Sequence, residues 1–416
     1  MNTIHVCGGN TLCGEVDIQG SKNSALPILA ASILIKGRTV LKNCPQISDV
    51  DHMLKLLEAV GCRIERNRST IEIDATNISN TAFPTEHANV MRSSVVLIGA
   101  LLGRIGEISI CYPGGCVIGK RPIDMHLDIL RQMGVVFLDD TECVYAQAAK
   151  ADGREVQLAF PSVGATENAV MYAVISDCEF RITGCAREPE IVELCSFLNQ
   201  AGAKITGAGT SVITVRGVQS LCETCYRIIP DRIVAGTYLL AGAMTRGLVV
   251  LNQAPTEHLA KVFELLSAMG ADLAVAKDWV CINGENATKA VRLAKTEVYP
   301  GFPTDLQSMF MSAFCIADGC SILEETIFEN RFQTVSELLK MGADIHVMGN
   351  RAMICGVKQL KGTTVEAKEL RGGAALVLAG LVADGDTYVK HDSFIKRGYE
   401  NICRDLKLLG AKINEE

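Results

Sequence analysis

One segment of the chain sets a single thiol among glycines, prolines and cations: Cys111-Tyr-Pro-Gly-Gly-Cys-Val-Ile-Gly-Lys-Arg-Pro-Ile-Asp-Met-His126. Pro113, Gly114, Gly115 and Gly119 predict a loop, and Cys116 stands in it with Lys120 and Arg121 a few residues on. An exposed thiol beside two cations should have a pKa below the ~8.5 of a free thiol. Poised near neutrality, it can donate a proton or act as a nucleophile. The competing reading is a turn cysteine beside a solvated basic pair.

Two other places carry groups suited to an anionic substrate. Gly20 and Ser21 precede an apolar run, with Lys22 and Asn23 at its mouth. A helix N-terminus plus a lysine binds anions readily, although an N-cap with a surface lysine gives the same pattern. In Tyr299-Pro-Gly-Phe-Pro-Thr-Asp-Leu-Gln, Asp305 opens an apolar helix behind two prolines and a glycine. Capping is the plain explanation for it, and a shaped loop is the alternative. Arg331, Arg371 and Arg397 each stand next to a helix start in the second half. Together they suggest a local anion trap in an acidic protein. Cys222 and Cys225 form the only Cys-x-x-Cys. Without a second pair or a nearby histidine, this is a weak zinc signal, read as coincidence.

A sixfold repeat positions these groups. Leu57, Leu130, Leu198, Leu266, Leu338 and Leu406 each stand four residues before a glycine, namely Gly61, Gly134, Gly202, Gly270, Gly342 and Gly410. Three residues after the glycine comes Ile64, Phe137, Ile205, Leu273, Ile345 or Ile413. The glycine spacings are 73, 68, 68, 72 and 68 residues. Apolar residues at helical spacing, then a glycine, then alternation predict a helix closed by a left-handed residue and followed by a hairpin. An earlier helix in each unit is small and apolar all round: 25–35, 93–102, 169–175, 234–244, 306–316 and 374–382. Such helices belong inside a core. The expected unit is helix, strand, helix, hairpin, with apolar helices buried together and sheets outside them. A chain of 416 residues is too long for one core, so three units in each of two domains is the economical division, with the half boundary near Ile229-Pro230-Asp231. The second unit is the one that departs. Gly106 to Gly134 spans 28 residues against 23 to 25 elsewhere, and the extra length carries the Cys116 loop.

Composition removes whole classes of function. With 40 basic and 47 acidic residues, net −7, the chain is unsuited to non-specific binding of nucleic acid or anionic membranes. Its apolar runs reach about 10–12 residues, against the ~20 needed to span a bilayer. Residues 1–5 show no basic start or apolar run, so no export signal is expected. The 17 cysteines, an odd number spread through apolar segments, are expected to be free thiols in a reducing cytosol.

Taken together, these motifs closely resemble the bacterial UDP-N-acetylglucosamine enolpyruvyl transferases over the full length. The matching stretches are GSKNSALP at 20–27, MRSS at 91–94, PGGCVIGKRPIDMH at 113–126, SVGATEN at 162–168 and AREPEIVEL at 186–194. They continue with PDRIVAGT at 230–237, FPTDLQ at 302–307, FENRF at 328–332 and KRGYE at 396–400. The cysteine loop with the Lys22-Asn23 pair is the specific part, because relatives using shikimate 3-phosphate lack that loop. The resemblance implies an α/β fold, a two-domain inside-out α/β barrel with three pseudo-repeats per domain around buried helices. One domain would span 22–229. The other would span 1–21 and 230–416, with the active site in the cleft between them and hinges near Ser21 and Ile229.

The implied reaction moves the enolpyruvyl group of phosphoenolpyruvate to the 3-hydroxyl of the sugar nucleotide and releases phosphate. It commits material to peptidoglycan, and so to cell-wall biogenesis, cell shape, cell cycle and division. Lys22, Arg121 and Arg397 would hold the phosphate and carboxylate of phosphoenolpyruvate, with Arg371 nearby. These charges would also stabilise a tetrahedral ketal intermediate. Asp305 would be the base for the sugar hydroxyl. Cys116 would be a proton donor able to form an adduct with phosphoenolpyruvate, and the residue alkylated by the epoxide fosfomycin. Asn23, Arg92, Arg121, Pro122, Ile123, Asp124, Met125, Ser162, Val163, Gly164, Asp305 and Ile327 would contact the sugar nucleotide. No metal, no organic cofactor, no nucleic acid and no membrane insertion are implied, and the location would be cytoplasmic.

Small departures from the family pattern are Glu369 where Asp is more usual, Gly372 and Gly373 after Arg371, and Val234 where some members carry an acid. The rival readings are a transferase for another alcohol such as shikimate 3-phosphate, a six-repeat DNA clamp and a catalytically silent paralogue. The Cys116 loop speaks against the first two, and the net charge also against the clamp.

Overall fold

Each leucine-to-glycine phrase closes a helix by one device. In the computed structural model, which describes residues 3–78, 95–111, 123–139, 143–149 and 153–416, all six glycines have left-handed φ. The values are 109° at Gly61, 95° at Gly134, 105° at Gly202, 101° at Gly270, 86° at Gly342 and 94° at Gly410. The residue after the glycine then donates its N–H back to the carbonyl of the leucine. Cys62 does so to Leu57 (3.0 Å), Ala203 to Leu198 (3.0 Å), Ala271 to Leu266 (3.0 Å), Ala343 to Leu338 (3.2 Å) and Ala411 to Leu406 (2.9 Å). This is a Schellman closure, and the leucine side chains above it are fully buried.

Twelve helices among the described residues follow the expected alternation. They are α1 (Lys22–Ala31) and α2 (Ser48–Ala59), α3 (Leu97–Ile105) and α4 (Asp124–Gln132), α5 (Val163–Val174) and α6 (Pro189–Gln200). The second half adds α7 (Arg232–Met244) and α8 (Ala260–Met269), α9 (Gln307–Phe314) and α10 (Val335–Lys340), α11 (Leu370–Val382) and α12 (Ile402–Leu408). The odd-numbered helices are the small apolar ones. Every residue of α7 and α9 is buried, and so is nearly all of α11. These three pack on one another, while α3 packs on α1 and α5.

Sheets lie outside these helices, and among the described residues five of the six share one pattern: a short parallel strand, a central strand, then two antiparallel strands. In the third repeat, Glu155–Gln157 pairs parallel with Glu179–Thr183, which pairs with Val212–Arg216, itself paired to Lys204–Thr206. Two sheets of the second half complete this pattern with strands from the start of the chain. Cys13–Asp17 pairs parallel with Leu248–Asn252. Thr3–Cys7 inserts between Asp386–Lys390 and Lys412–Glu415. In the first half, Thr224–Arg227 returns to pair with Arg38–Lys42. Each set of three repeats is thereby closed by a strand distant in sequence.

The chain divides into two compact units, 20–229 and 3–19 with 230–416. Each has its own apolar core. Gly20 and Ser21 belong with the first: Ser21 donates to the carbonyl of Ile229 (2.8 Å), and a Cβ on Gly20 would meet the carbonyl oxygen of Asn43 at 1.8 Å. Among the described residues no helix is long and apolar enough to cross a membrane.

The expectation that all cysteines are free thiols is corrected at one pair. Cys320 and Cys355 form a disulfide, being directly opposite on neighbouring antiparallel strands with Cα atoms 4.0 Å apart. Their separation of 35 residues held no sign of that register.

Candidate active site

Asp305 is not a helix cap. It sits in a 3-10 turn, Thr304–Leu306, ahead of α9, and no side chain caps either element. Its carboxylate instead joins two arginines. Arg331 Nη2 donates to Oδ1 at 2.9 Å and Arg371 Nη2 to Oδ2 at 2.9 Å. The arginine side chains are 1% and 4% exposed, and that of Asp305 is 26% exposed. Two buried guanidinium groups thus share the Asp305 carboxylate. Moreover, Arg331 Nε and Arg371 Nη1 are buried with no hydrogen-bond partner. A buried donor left unmet is costly, and an incoming anion removes that cost.

The surroundings fix this cluster. Arg371 lies in the first turn of α11, whose N-cap Glu369 accepts from the N–H of Arg371 at 2.7 Å and from that of Gly372. Glu369 thus performs the capping that a shorter acid would. A Cβ on Gly372 would stand 2.8 Å from Glu369 Oε1 and 2.2 Å from Thr334 Oγ1, so the longer acid and the bare glycine fit each other. Burial disfavours the charge of Arg371, but Asp305, Tyr399 and Asp231 outweigh it and its pKa is raised. Burial pushes the Tyr399 phenol up to about 12, with Arg371 pulling the other way. Its hydroxyl is 2.8 Å from Thr237 Oγ1.

Buried Glu325 ties two expected site segments together. It accepts from the hydroxyls of Thr296 and Thr304, both at 2.9 Å, and from the N–H groups of Ile327 (2.8 Å) and Phe328 (3.1 Å). The Ile327 loop and the Asp305 turn therefore share one anchor. Half-buried Arg397 ends a 3-10 helix, Asp392–Arg397. Gln19 braces the corner after it, donating to the carbonyl of Gly398 (3.1 Å) and accepting from the N–H of Glu400 (2.8 Å).

In the unit 20–229, Ser21 caps α1 by accepting from Ser24, and Lys22 follows as its first residue with Asn23 next. The Lys22 ammonium lies 2.6 Å from Asp49 Oδ2, with side chains 12% and 3% exposed. This ion pair positions the lysine, and an ammonium carries three donors. Ser162 caps α5, so Val163 and Gly164 present the first turn of that helix. His126 of α4 packs against this turn, since a Cβ on Gly164 would meet its Cε1 at 2.7 Å. Asn168 holds the histidine by donating to Nδ1 (2.7 Å), bonds the carbonyl of Val95 (3.0 Å), and accepts from Gly99 (2.6 Å). Ile123, Asp124 and Met125 open α4, with Asp124 exposed and the other two half-buried. The structure thus brings the Ile123–Met125 stretch to the Ser162–Gly164 turn through His126. Cys116, Arg92, Arg121 and Pro122 lie outside the described residues.

Sequence reasoning named Arg331 only for its charge and missed Asp49, Glu325, Gln19 and Asn168. A buried polar group that acts through a distant partner leaves no local signature. The one usable hint was a Glu or Asn within an otherwise apolar segment.

Comparison with known proteins agrees with this architecture. The family model for EPSP synthase (3-phosphoshikimate 1-carboxyvinyltransferase) matches residues 6–406. A UDP-N-acetylglucosamine 1-carboxyvinyltransferase 2 of Caldanaerobacter subterraneus subsp. tengcongensis is 46% identical over 413 residues, 99% of each chain. A UDP-N-acetylglucosamine 1-carboxyvinyltransferase 1 of Staphylococcus epidermidis is 42% identical over 417 residues, again 99% of each. Among solved structures, the enolpyruvyl transferase NikO from Streptomyces tendae superposes with a TM-score of 0.89 at 24% identity, covering 100% of this chain and 98% of that one. The EPSP synthase of Acinetobacter baumannii gives 0.78 at 18%, with full coverage of both. These two likenesses establish the fold, the inside-out α/β barrel that the resemblance implied. On the family match and the full-length relatives, the chain belongs to the enolpyruvyl transferase family, with the UDP-N-acetylglucosamine 1-carboxyvinyltransferases as its full-length relatives.

Proposed function

We propose that this protein transfers the enolpyruvyl group of phosphoenolpyruvate to the 3-hydroxyl of UDP-N-acetylglucosamine by addition–elimination, releasing phosphate. The full-length identity to transferases so named carries the reading, and the Asp305–Arg331–Arg371 cluster supports it. In this reading the ionised Asp305 takes the proton of the sugar hydroxyl as its oxygen attacks the enol carbon. Cys116 gives a proton to the methylene carbon, which produces a tetrahedral ketal. Loss of phosphate and of a methyl proton restores the enol. Lys22, Arg121 and Arg397 hold phosphate and carboxylate, and Arg371 adds its unmet N–H. Preorganised charge of this kind usually contributes more to an enzymatic rate enhancement than any other single effect.

Asn23, Arg92, the 121–125 stretch, Ser162, Val163, Gly164 and Ile327 bind the sugar nucleotide. The α5 N-terminus, with its free backbone N–H groups, suits a diphosphate oxygen. The product feeds peptidoglycan synthesis in the cytoplasm, and hence wall growth and division, and Cys116 is the site of alkylation by fosfomycin. Phosphate release is the direct test. Phosphoenolpyruvate with UDP-N-acetylglucosamine should give stoichiometric phosphate, and release with shikimate 3-phosphate alone would overturn the proposal.

A further inference from the structure

The sheet that closes the sixth repeat presents three metal-ligand side chains on its outer face. His5 and Cys7 are two residues apart on the strand Thr3–Cys7, so both point the same way. Asp386 is the cross-strand partner of Cys7. His5 Nε2 lies 2.9 Å from Asp386 Oδ1 and 3.7 Å from Cys7 Sγ, and the three donor atoms all lie within 4.8 Å of one another. Ligand atoms around a tetrahedral zinc ion are separated by about 3.4 Å, as bonds of ~2.0–2.3 Å require. His5 Nε2 already stands close to that spacing from both Asp386 Oδ1 and Cys7 Sγ.

The other ring nitrogen is held as well. His5 Nδ1 lies 3.3 Å from Glu416 Oε1, and the ring stacks on Tyr388 at 4.7 Å with 5° between planes. A carboxylate behind one nitrogen and an aromatic wall is how a metal-bound histidine is held. The hydrogen bond between Nε2 and Asp386 Oδ1 keeps the ring turned toward Asp386 and Cys7. The Asp386 hydrogen bond holds the Cys7 thiol proton and pushes its pKa up, with Lys412, opposite Cys7 on the other neighbouring strand, pulling the other way. Binding a divalent ion releases that proton to solvent and replaces it.

We propose that His5 Nε2, Cys7 Sγ and Asp386 Oδ1 form a binding site for a divalent transition ion of the zinc class, with Glu416 orienting the histidine and a fourth position open to water. The ion joins the strand Thr3–Cys7 to Asp386–Lys390, so it stabilises the fold of this unit and takes no part in the transfer reaction.

The test uses the full chain stripped of metal and titrated with Co²⁺ alone. A thiolate-to-cobalt charge-transfer band should appear with one ion per chain. It should vanish in Cys7→Ser and persist in the double variant Cys222→Ser/Cys225→Ser. Glu416→Gln should weaken binding roughly 10- to 100-fold, the usual effect of removing an outer-shell partner. Zn²⁺ should displace the cobalt and raise the melting temperature of the parent but not of His5→Gln. Melting of both variants without metal, unchanged from the parent, confirms that they fold. Absence of the band, or its survival in Cys7→Ser, would overturn the assignment.

Discussion

In the proposed reaction Asp305 is both the base and the group that holds two buried arginines. Its two oxygens each meet a buried guanidinium, so replacing it with alanine removes a reacting group and strands two charges together. Asp305→Asn separates these effects by keeping the shape while losing the basic oxygen. Turnover should fall by about 10²- to 10⁴-fold, the range expected for a lost general base. The dissociation constant for UDP-N-acetylglucosamine, measured by calorimetry, should change several-fold at most. An active Asn variant would remove Asp305 from the chemistry. The role proposed for Cys116 is proton donation, which a carboxylic acid can also perform. Cys116→Ser should lose most turnover, whereas Cys116→Asp should keep it and escape alkylation by fosfomycin. Mass spectrometry after epoxide treatment reads this directly, and an alkylated Asp variant that loses activity would contradict the role. The position of Asp305 at a helix start was readable from sequence. Its partners were not, because Arg331 and Arg371 stand 26 and 66 residues away and only the fold brings them together.

At the scale of the element, the repeat glycines were legible because their chemistry is local: a left-handed residue ends a helix whatever surrounds it. They should nevertheless differ in cost. A Cβ at Gly202 meets nothing within 4 Å, so Gly202→Ala suffers only backbone strain, about 1–2 kcal/mol. At Gly270 the same Cβ would stand 2.3 Å from the carbonyl oxygen of Asn286, and the loss in urea unfolding should be larger. Equal losses would mean that the turn at Asn286 yields easily. Helices α5 and α6 carry a different burden. Burial, reinforced by Glu190 and Glu188, pushes Glu167 up to about 8, and burial pushes Glu193 up to about 7. Both are acids with raised folded pKa values, so the folded chain holds protons that the unfolded chain gives up above about 4.5. Stability therefore falls as pH rises from about 4.5 to about 8, with no further loss from these groups above that. Glu167→Gln should flatten the decline in melting temperature between about pH 5 and 8. An unchanged slope would show that Glu167 does not titrate there.

For the whole molecule, what the sequence could not disclose is which strand closes each set of repeats. Thr3–Cys7 and Thr224–Arg227 are short strands whose partners lie far off: Thr3 pairs with Lys390 and Thr224 with Thr39. Non-local pairing is set by the complete core, not by any window of sequence. Only the resemblance pointed to the start of the chain as part of the second half. That segment brings Ile4, Val6, Leu12, Val16 and Ile18 into the core of the unit 230–416, each at most 4% exposed. At roughly 1.5–3 kcal/mol per buried aliphatic side chain, five of them supply on the order of 8–15 kcal/mol as an upper bound. That equals the entire stability of a typical domain, about 5–15 kcal/mol. Residues 230–416 alone should therefore fail to fold. Thr3 and Glu416 exchange two backbone hydrogen bonds, Thr3 N–H to Glu416 O at 3.0 Å and Glu416 N–H to Thr3 O at 2.8 Å. A short Gly-containing turn from 416 to 3 makes that pair a hairpin of the kind the other repeats already use. A permuted chain, 230–416 followed by the turn and 3–19, should show a single cooperative melt and protected amides in Thr3–Cys7 by hydrogen exchange. A cooperative melt from 230–416 without the added segment would show that the borrowed strands decorate this unit and do not complete it.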